Sequence, residues 1–219
     1  MRVLILRPQP GADETAEKAR AMGLEPVLAP LFKVRPLAWT APDSRNFDAV
    51  FVTSANGVRL AGDGLTSFVD LPCYAVGQRT AAAAEAAGFA DVRAGPGDGR
   101  ALAAMAIAED VSAAVHFCGR DHIELGPPVV AEIPVYAADP AKTLPEGIAY
   151  DLALLHSPRA AALFAELIGG RGAIRIAAIS EQVSAAAGTG WRSVSVAEAP
   201  REQALLELAA KLCQNGGRR

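Results

Sequence analysis

Apolar residues in this chain fall in short unbroken runs that stop abruptly at polar residues or at Gly and Pro. The clearest occupy 3–6, 48–53, 73–76, 113–118, 133–136, 151–156, 174–179 and 193–196. Runs of this length without polar alternation describe strands buried on both faces. Between most of them lie Ala-rich stretches with helical spacing, at 80–87, 101–109, 158–168 and 202–212. Strands and helices alternating in this way predict parallel sheets covered on both sides.

The pattern also repeats. Asp48-Ala-Val-Phe-Val-Thr-Ser54-Ala-Asn-Gly-Val resembles Asp151-Leu-Ala-Leu-Leu-His-Ser157-Pro-Arg-Ala-Ala, with Ser54 and Ser157 standing 103 residues apart. Ala75-Val-Gly-Gln-Arg-Thr and Ala178-Ile-Ser-Glu-Gln-Val keep the same spacing of 103, as do Ala101-Leu102 and Ala204-Leu205. Three segments in one register predict two similar α/β halves. A looser match links 3–7 and Glu25-Pro-Val-Leu with 115–120 and Glu132-Ile-Pro-Val-Tyr136. That match fits a continued repeat and fits two unrelated strand–helix–strand beginnings equally well.

In open parallel sheets, ligands sit beyond the carboxyl ends of strands, where helix N-termini offer free N–H groups. The strand ends here are Arg7-Pro-Gln, Ser54-Ala55-Asn56, Gly77-Gln-Arg-Thr80, Gly119-Arg120, Ser157-Pro158-Arg159 and Ser180-Glu-Gln182. Each serine suits a helix cap, and Pro158 suits a first helical position. Taken singly, capping accounts for them. Together, facing a cleft between the halves, they predict a surface of N–H donors and hydroxyls for a ligand with several anionic groups.

Composition narrows the field. With 21 basic and 24 acidic residues the net charge is −3, without the clustered basic excess that nucleic acid requires. No apolar run is long enough to span a bilayer, and residues 2–6 are broken at once by Arg7-Pro8, unlike a signal peptide. A cytoplasmic protein is expected. Cys73, Cys118 and Cys213 are odd in number, far apart and without metal-ligand spacing, which predicts reduced structural thiols. Gly95-Pro-Gly-Asp-Gly99 meets neither the dinucleotide nor the Walker spacing and reads as a surface turn. No nucleophile elbow serves His116, His122 or His156, and His116 with Cys118 reads as core packing. Tyr136 ends an apolar run before Ala-Ala-Asp-Pro140, a change of direction or linker. From spacing alone it closes a strand, ring packed and hydroxyl wet.

Several motifs in order resemble the uroporphyrinogen-III synthase family. They are Val3-Leu-Ile-Leu-Arg-Pro8, Phe51-Val-Thr-Ser-Ala-Asn-Gly-Val58 and Tyr74-Ala-Val-Gly-Gln-Arg-Thr-Ala81, followed by Phe117-Cys-Gly-Arg120, Val135-Tyr136, His156-Ser-Pro-Arg159, Ala177-Ala-Ile-Ser180 and Ala197-Glu-Ala-Pro200. The resemblance implies two flavodoxin-like parallel-sheet domains joined by a two-stranded linker. The first would be discontinuous, 1–37 and 138–219, the second 38–137, with linker strands near 31–36 and 133–138. It implies an enzyme without cofactor or metal. Its substrate would be hydroxymethylbilane, a linear tetrapyrrole with carboxylate side chains, cyclised with inversion of the terminal pyrrole ring and loss of water. The product feeds heme, siroheme, cobalamin or chlorophyll synthesis, and the bilane would be handed over by the upstream deaminase to a monomeric synthase. By resemblance Tyr136 becomes the candidate general acid, which reverses the reading from spacing. Thr80, Ser157 and Ser54 match hydroxyls near the tetrapyrrole, and Arg7, Ala55, Asn56, Gly77, Gly119, Arg120, Pro158 and Gln182 complete the expected substrate contacts. Gln182-Val183 stands where many relatives carry a threonine pair, so contacts at that loop fall to backbone N–H groups. The alternative is a non-catalytic two-domain binding or sensor protein for an anionic small molecule.

Overall fold

A computed structural model describes residues 2–145 and 147–216, with side chains up to 213. The outer limits expected for the first domain, 1 and 219, lie outside the described residues. Contacts divide the chain into two compact units, Met1–Lys33 with Asp139–Arg219, and Val34–Ala138.

The first unit is built on β1 (Arg2–Ile5), β2 (Glu25–Leu28), β9 (Leu152–Leu155), β10 (Arg175–Ala178) and β11 (Ser193–Val196). Its sheet runs β11-β10-β9-β1-β2 with every pair parallel. Counted within the unit this is the 2-1-3-4-5 order of doubly wound sheets. Past the exposed Arg2, β1 is fully buried, as is all of β9, so these stretches must be apolar. Helices α1 (Gly11–Ala21), α5 (Pro158–Leu167), α6 (Glu181–Ala187) and α7 (Glu202–Gly216) cover it. Buried Ala12, Ala16 and Ala19 give α1 a smooth face against the core of Val3, Ile5 and Leu154. A polar composition hides α1 from apolar periodicity; it is absent from the sequence expectations.

The second unit carries β3 (Phe32–Pro36), β4 (Ala49–Val52), β5 (Cys73–Ala75), β6 (Val92–Ala94), β7 (Ala114–Gly119) and β8 (Val129–Pro140). The order is β3-β8-β7-β4-β5-β6, and β8-β7-β4-β5-β6 pairs in parallel. Helices α2 (Ala55–Arg59), α3 (Gln78–Ala86) and α4 (Gly99–Ala108) follow β4, β5 and β6. The core joins Val50, Phe68, Phe117 and Val135, with Phe68 edge-on to Phe117 at 5.0 Å.

Sheet positions resolve the repeat. Strands β4, β5 and β6 occupy the places of β9, β10 and β11, while β7 and β8 occupy those of β1 and β2. The looser sequence match is therefore part of the repeat. The second unit is the same sheet entered at its middle strand, which is why the sequence offset changes between segments. Ser54, Ser157 and Ser180 cap α2, α5 and α6 as expected, accepting from Asn56, Ala160 and Val183 N–H.

One expectation is corrected and two gain detail. Strand 133–136 is part of the longer β8, which continues through Ala137–Pro140 instead of turning after Tyr136. The expected linker strand at 31–36 is β3, and it joins β8 in the six-stranded sheet, where the Leu37 N–H donates to the Val135 carbonyl. Gly95–Gly99 is more than a surface turn: Asp98 caps α4, accepting from Arg100 and Ala101 N–H at 3.0 and 2.9 Å. The two buried cysteines, Cys73 and Cys118, are free thiols pushed up to about 12 by burial first and a nearby carboxylate second.

Candidate active site

In the second unit a cavity of about 420 Å³ opens at the carboxyl ends of β4, β5 and β7. Thr53 and Ser54 close one side, Asp98 and Arg100 at the start of α4 another. Gly119 and Tyr136 form the floor, and the loop after β7 brings His122. This is the position at which parallel sheets bind ligands.

Tyr136 reaches the cavity through an irregularity in the ladder. Cys118 pairs with Pro134, but Gly119 pairs with Tyr136, so one extra residue of β8 is taken up between them. Proline lacks the N–H that a regular ladder would use, and bulges commonly re-aim side chains beside active sites. Val135 stays buried in the core while the Tyr136 ring lies against Gly119. A methyl group at Gly119 would stand 2.8 Å from the ring and 3.0 Å from its hydroxyl oxygen. The Arg120 N–H donates to the Tyr136 carbonyl at 2.8 Å and fixes the strand here.

Behind this wall lies a polar network that the sequence expectations missed. His116 and Glu132 face each other across β7 and β8. His116 is fully buried; its Nε2 lies 2.9 Å from Thr53 Oγ1 and its Nδ1 3.5 Å from Glu132 Oε1. His122 bridges Glu132 Oε2 at 2.8 Å and the Gly119 carbonyl at 2.9 Å. Burial pulls the His116 pKa down, beyond what the hydrogen bond to Glu132 restores. Burial pushes the same way on His122, but the hydrogen bond and charge of Glu132, together with backbone hydrogen bonds at Gly119 and Arg120, outweigh it and raise that group. Glu132 is held low in spite of burial, by hydrogen bonds from both imidazoles and from the Leu125 N–H. Histidine and glutamate separated by an unpredictable register carry no motif, so only the pairing of β7 with β8 could reveal them.

The expected site residues divide between the units. Ser54, Gly119 and Tyr136 line the cavity together. Ala55 and Asn56 open α2, Gly77 caps α3, and Thr80 is buried in its first turn. The Arg120 side chain approaches Asp121 at 3.5 Å. Arg7, Ser157, Pro158 and Gln182 belong to the first unit. There Arg7 ion-pairs with Glu202 at 2.6 Å and donates to Thr15, whose hydroxyl donates to Glu202 at 2.7 Å. His156 approaches the same carboxylate at 3.4 Å. Burial opposes ionisation of Glu202, yet His156, Thr15 and Arg7 hold it down to about 2. Gln182 is exposed in the first turn of α6. Among the described residues, no group of three or more His, Cys, Asp or Glu could hold a metal ion, and no helix is long and apolar enough to cross a membrane.

Two doubly wound units, one with a tyrosine-floored cavity at its strand ends, define a two-unit α/β enzyme. The fold is shared with uroporphyrinogen-III synthetase from Helicobacter pylori, at a TM-score of 0.67 and 16% identity over 97% of this chain and 100% of that one. It is also shared with a mutant uroporphyrinogen III synthase from Thermus thermophilus, at 0.59 and 16% identity over 98% and 99% of the two chains. None of the curated proteins matches the chain. The family model for uroporphyrinogen-III synthase HemD matches residues 13–207. The chain belongs to the uroporphyrinogen-III synthase family of cyclising lyases.

Proposed function

We propose that hydroxymethylbilane places its hydroxymethyl-bearing pyrrole in the cavity of the second unit, and that Tyr136 supplies the proton for loss of the hydroxyl. The observation that carries this reading is the bulge that turns Tyr136 onto Gly119, at the floor of a cavity at the strand ends.

The chemistry asks little of the protein. The C–O bond breaks with both electrons going to oxygen, which takes the Tyr136 proton and departs as water. The pyrrole nitrogen supplies electron density to the carbon left behind. That carbon is attacked by the substituted α-carbon of the pyrrole at the other end of the chain, giving a spiro arrangement. The bond from that α-carbon to its original bridging methylene then breaks, and the freed methylene bonds to the unsubstituted α-carbon of the same pyrrole, which inverts that ring. Closure of the macrocycle releases a proton from carbon, which returns to the tyrosine, so one water is lost and the enzyme is unchanged. Positioning does most of the work, since a flexible linear substrate must hold its ends together.

Substrate contacts in this reading come from Ser54, Ala55, Asn56, Gly77, Thr80, Gly119 and Arg120 in the second unit. Arg7, Ser157, Pro158 and Gln182 contribute from the first, Arg7 with its charge shared with Glu202. The N–H groups opening α3, α4 and α5 suit carboxylates without a basic excess. The enzyme works as a cytoplasmic monomer supplied by the upstream deaminase. Supplying hydroxymethylbilane and separating the oxidised porphyrin isomers tests the reading. Isomer III is expected; isomer I alone, at the spontaneous rate, overturns it, and unchanged bilane recovered in a tight complex supports a binding protein instead.

A further inference from the structure

One wall of the cavity is backed by a hydrogen-bond chain whose direction is set at its far end. The Glu132 carboxylate can only accept, so the His116 Nδ1 that faces it carries the ring proton. The buried ring is neutral, and its Nε2 is left as an acceptor. The group facing Nε2 at 2.9 Å is the Thr53 hydroxyl, which therefore donates. A hydroxyl has one hydrogen. With that hydrogen given to His116, Thr53 has only lone pairs to turn toward the cavity it lines. His122 secures the arrangement: both of its nitrogens face acceptors, the Gly119 carbonyl and Glu132 Oε2, so it is the imidazolium that balances the Glu132 charge.

We propose that Thr53 is the hydrogen-bond acceptor of the cavity, oriented by His116 and Glu132, and that it receives the N–H of the pyrrole ring that loses its hydroxyl. The proposal rests on the functional reading above and names the group that reads the ring. As the C–O bond breaks, the pyrrole nitrogen gives up electron density and its N–H grows more positive. The hydrogen bond to Thr53 strengthens at that moment, so it favours the transition state over the bound substrate. The same lone pairs repel a carboxylate, which keeps the substrate's acidic side chains away from this wall and helps choose the orientation of the ring. Thr53 is the catalytic residue here; His116 and Glu132 are positioning residues.

The test combines turnover to isomer III, KM, thermal unfolding and nitrogen-15 NMR of the histidines in the unsubstituted chain. Thr53→Val keeps the shape and removes the acceptor; kcat is expected to fall about ten- to a hundredfold with a smaller change in KM. Thr53→Ser should recover most of that loss. A second proton on His116 would make Nε2 a donor and turn the Thr53 hydrogen toward the cavity, so kcat should fall on the acid side. The groups facing His116 are Glu132 from β8, His122 from the loop after β7 and the Thr53 hydroxyl. His116→Phe should lower kcat and flatten this acid limb. NMR should find neutral His116 protonated on Nδ1; a proton on Nε2 overturns the proposal even if Thr53→Val fails to fold. A Thr53→Val protein with unaltered kcat, beside an active unsubstituted chain, overturns the proposal alone. Isomer I as sole product of the unsubstituted chain overturns the functional reading and this inference with it.

Discussion

Both units gather a threonine, a histidine and a glutamate into one hydrogen-bonded cluster, and the clusters are built differently. In the first unit His156 follows β9, Thr15 comes from α1 and Glu202 opens α7, and Thr15, His156 and Arg7 are all gathered on the Glu202 carboxylate. In the second, Thr53 ends β4, His116 lies in β7 and Glu132 in β8, with His122 in place of arginine. Arginine stays charged at any ordinary pH, so the first cluster is a closed clamp. An imidazolium gains and loses its charge near neutrality, and the second cluster backs an open cavity. If the proposed function holds, the first cluster serves stability and the second serves chemistry.

The sharpest break in this contrast is Tyr136→Phe. If the chemistry belongs to the second unit, removing the hydroxyl should lower kcat by about 10²–10⁴ with substrate binding largely kept. Single-turnover kinetics and a separate binding measurement check this. Near-normal turnover would take the general-acid role from Tyr136 and leave the cavity a binding surface.

Glu202→Gln tests the other side. The folded carboxyl sits at about 2, well below its ordinary 4.5, so its stabilisation is present above 4.5 and is lost as pH falls toward 2. The substitution should cost roughly 2–3 kcal/mol near neutral pH, because it leaves Arg7 and His156 partly buried without their anion. Denaturant unfolding at several pH values reads this directly. The difference between variant and parent should shrink on acidification. A constant difference would mean that shape, not charge, holds the clamp. Turnover per folded molecule should change less than for Tyr136→Phe.

Gly119→Ala sharpens the contrast at intermediate size. The added methyl would lie against the Tyr136 ring, which must shift by several tenths of an ångström. A fall of about tenfold in kcat is expected from misplacement of the proton donor, with stability changed by less than a core truncation would change it. At Gly57, in the same unit, the outcome differs, since a methyl there would meet the Phe117 carbonyl at 2.5 Å and could not be absorbed by a side chain.

Much of the fold was legible in the chain because doubly buried strands cannot hide: 49–52 and 152–155 are apolar at every position, and 113–118 is interrupted only by His116. The repeat spacing of 103 was legible for the same reason, as Ser54 and Ser157 close equivalent strands. Helix α2 has five residues and α1 a polar surface, so neither generates a periodic signal. Strand β6, three half-buried residues, is too short to stand out. At the site, helix caps were readable from serines and proline, but the role of Glu132 depends on pairing with His116 across strands. The bulge at Gly119 is set by tertiary packing and leaves only Pro134 as a trace.

The smallest effects compare the two serines that the repeat relates. Ser54 and Ser157 each accept a backbone N–H at 3.2 Å, from Asn56 and Ala160, and each starts a helix behind a buried strand. Ser157→Ala should cost about 1 kcal/mol of stability, the usual worth of a cap on a helix of this length. Ser54→Ala should cost less, because α2 is only half as long and is held by the close approach of Gly57 to Phe117. Affinity separates capping from recognition. Ser54 lines the cavity, so its loss should raise KM about threefold beyond any change in the folded fraction, the equivalent of one weak neutral hydrogen bond. A similar rise for Ser157→Ala would make its hydroxyl a substrate contact as well. Loss of stability with unchanged KM would make Ser157 a cap alone, and the contrast between the two units would then extend to a pair of residues that the sequence shows as equivalent.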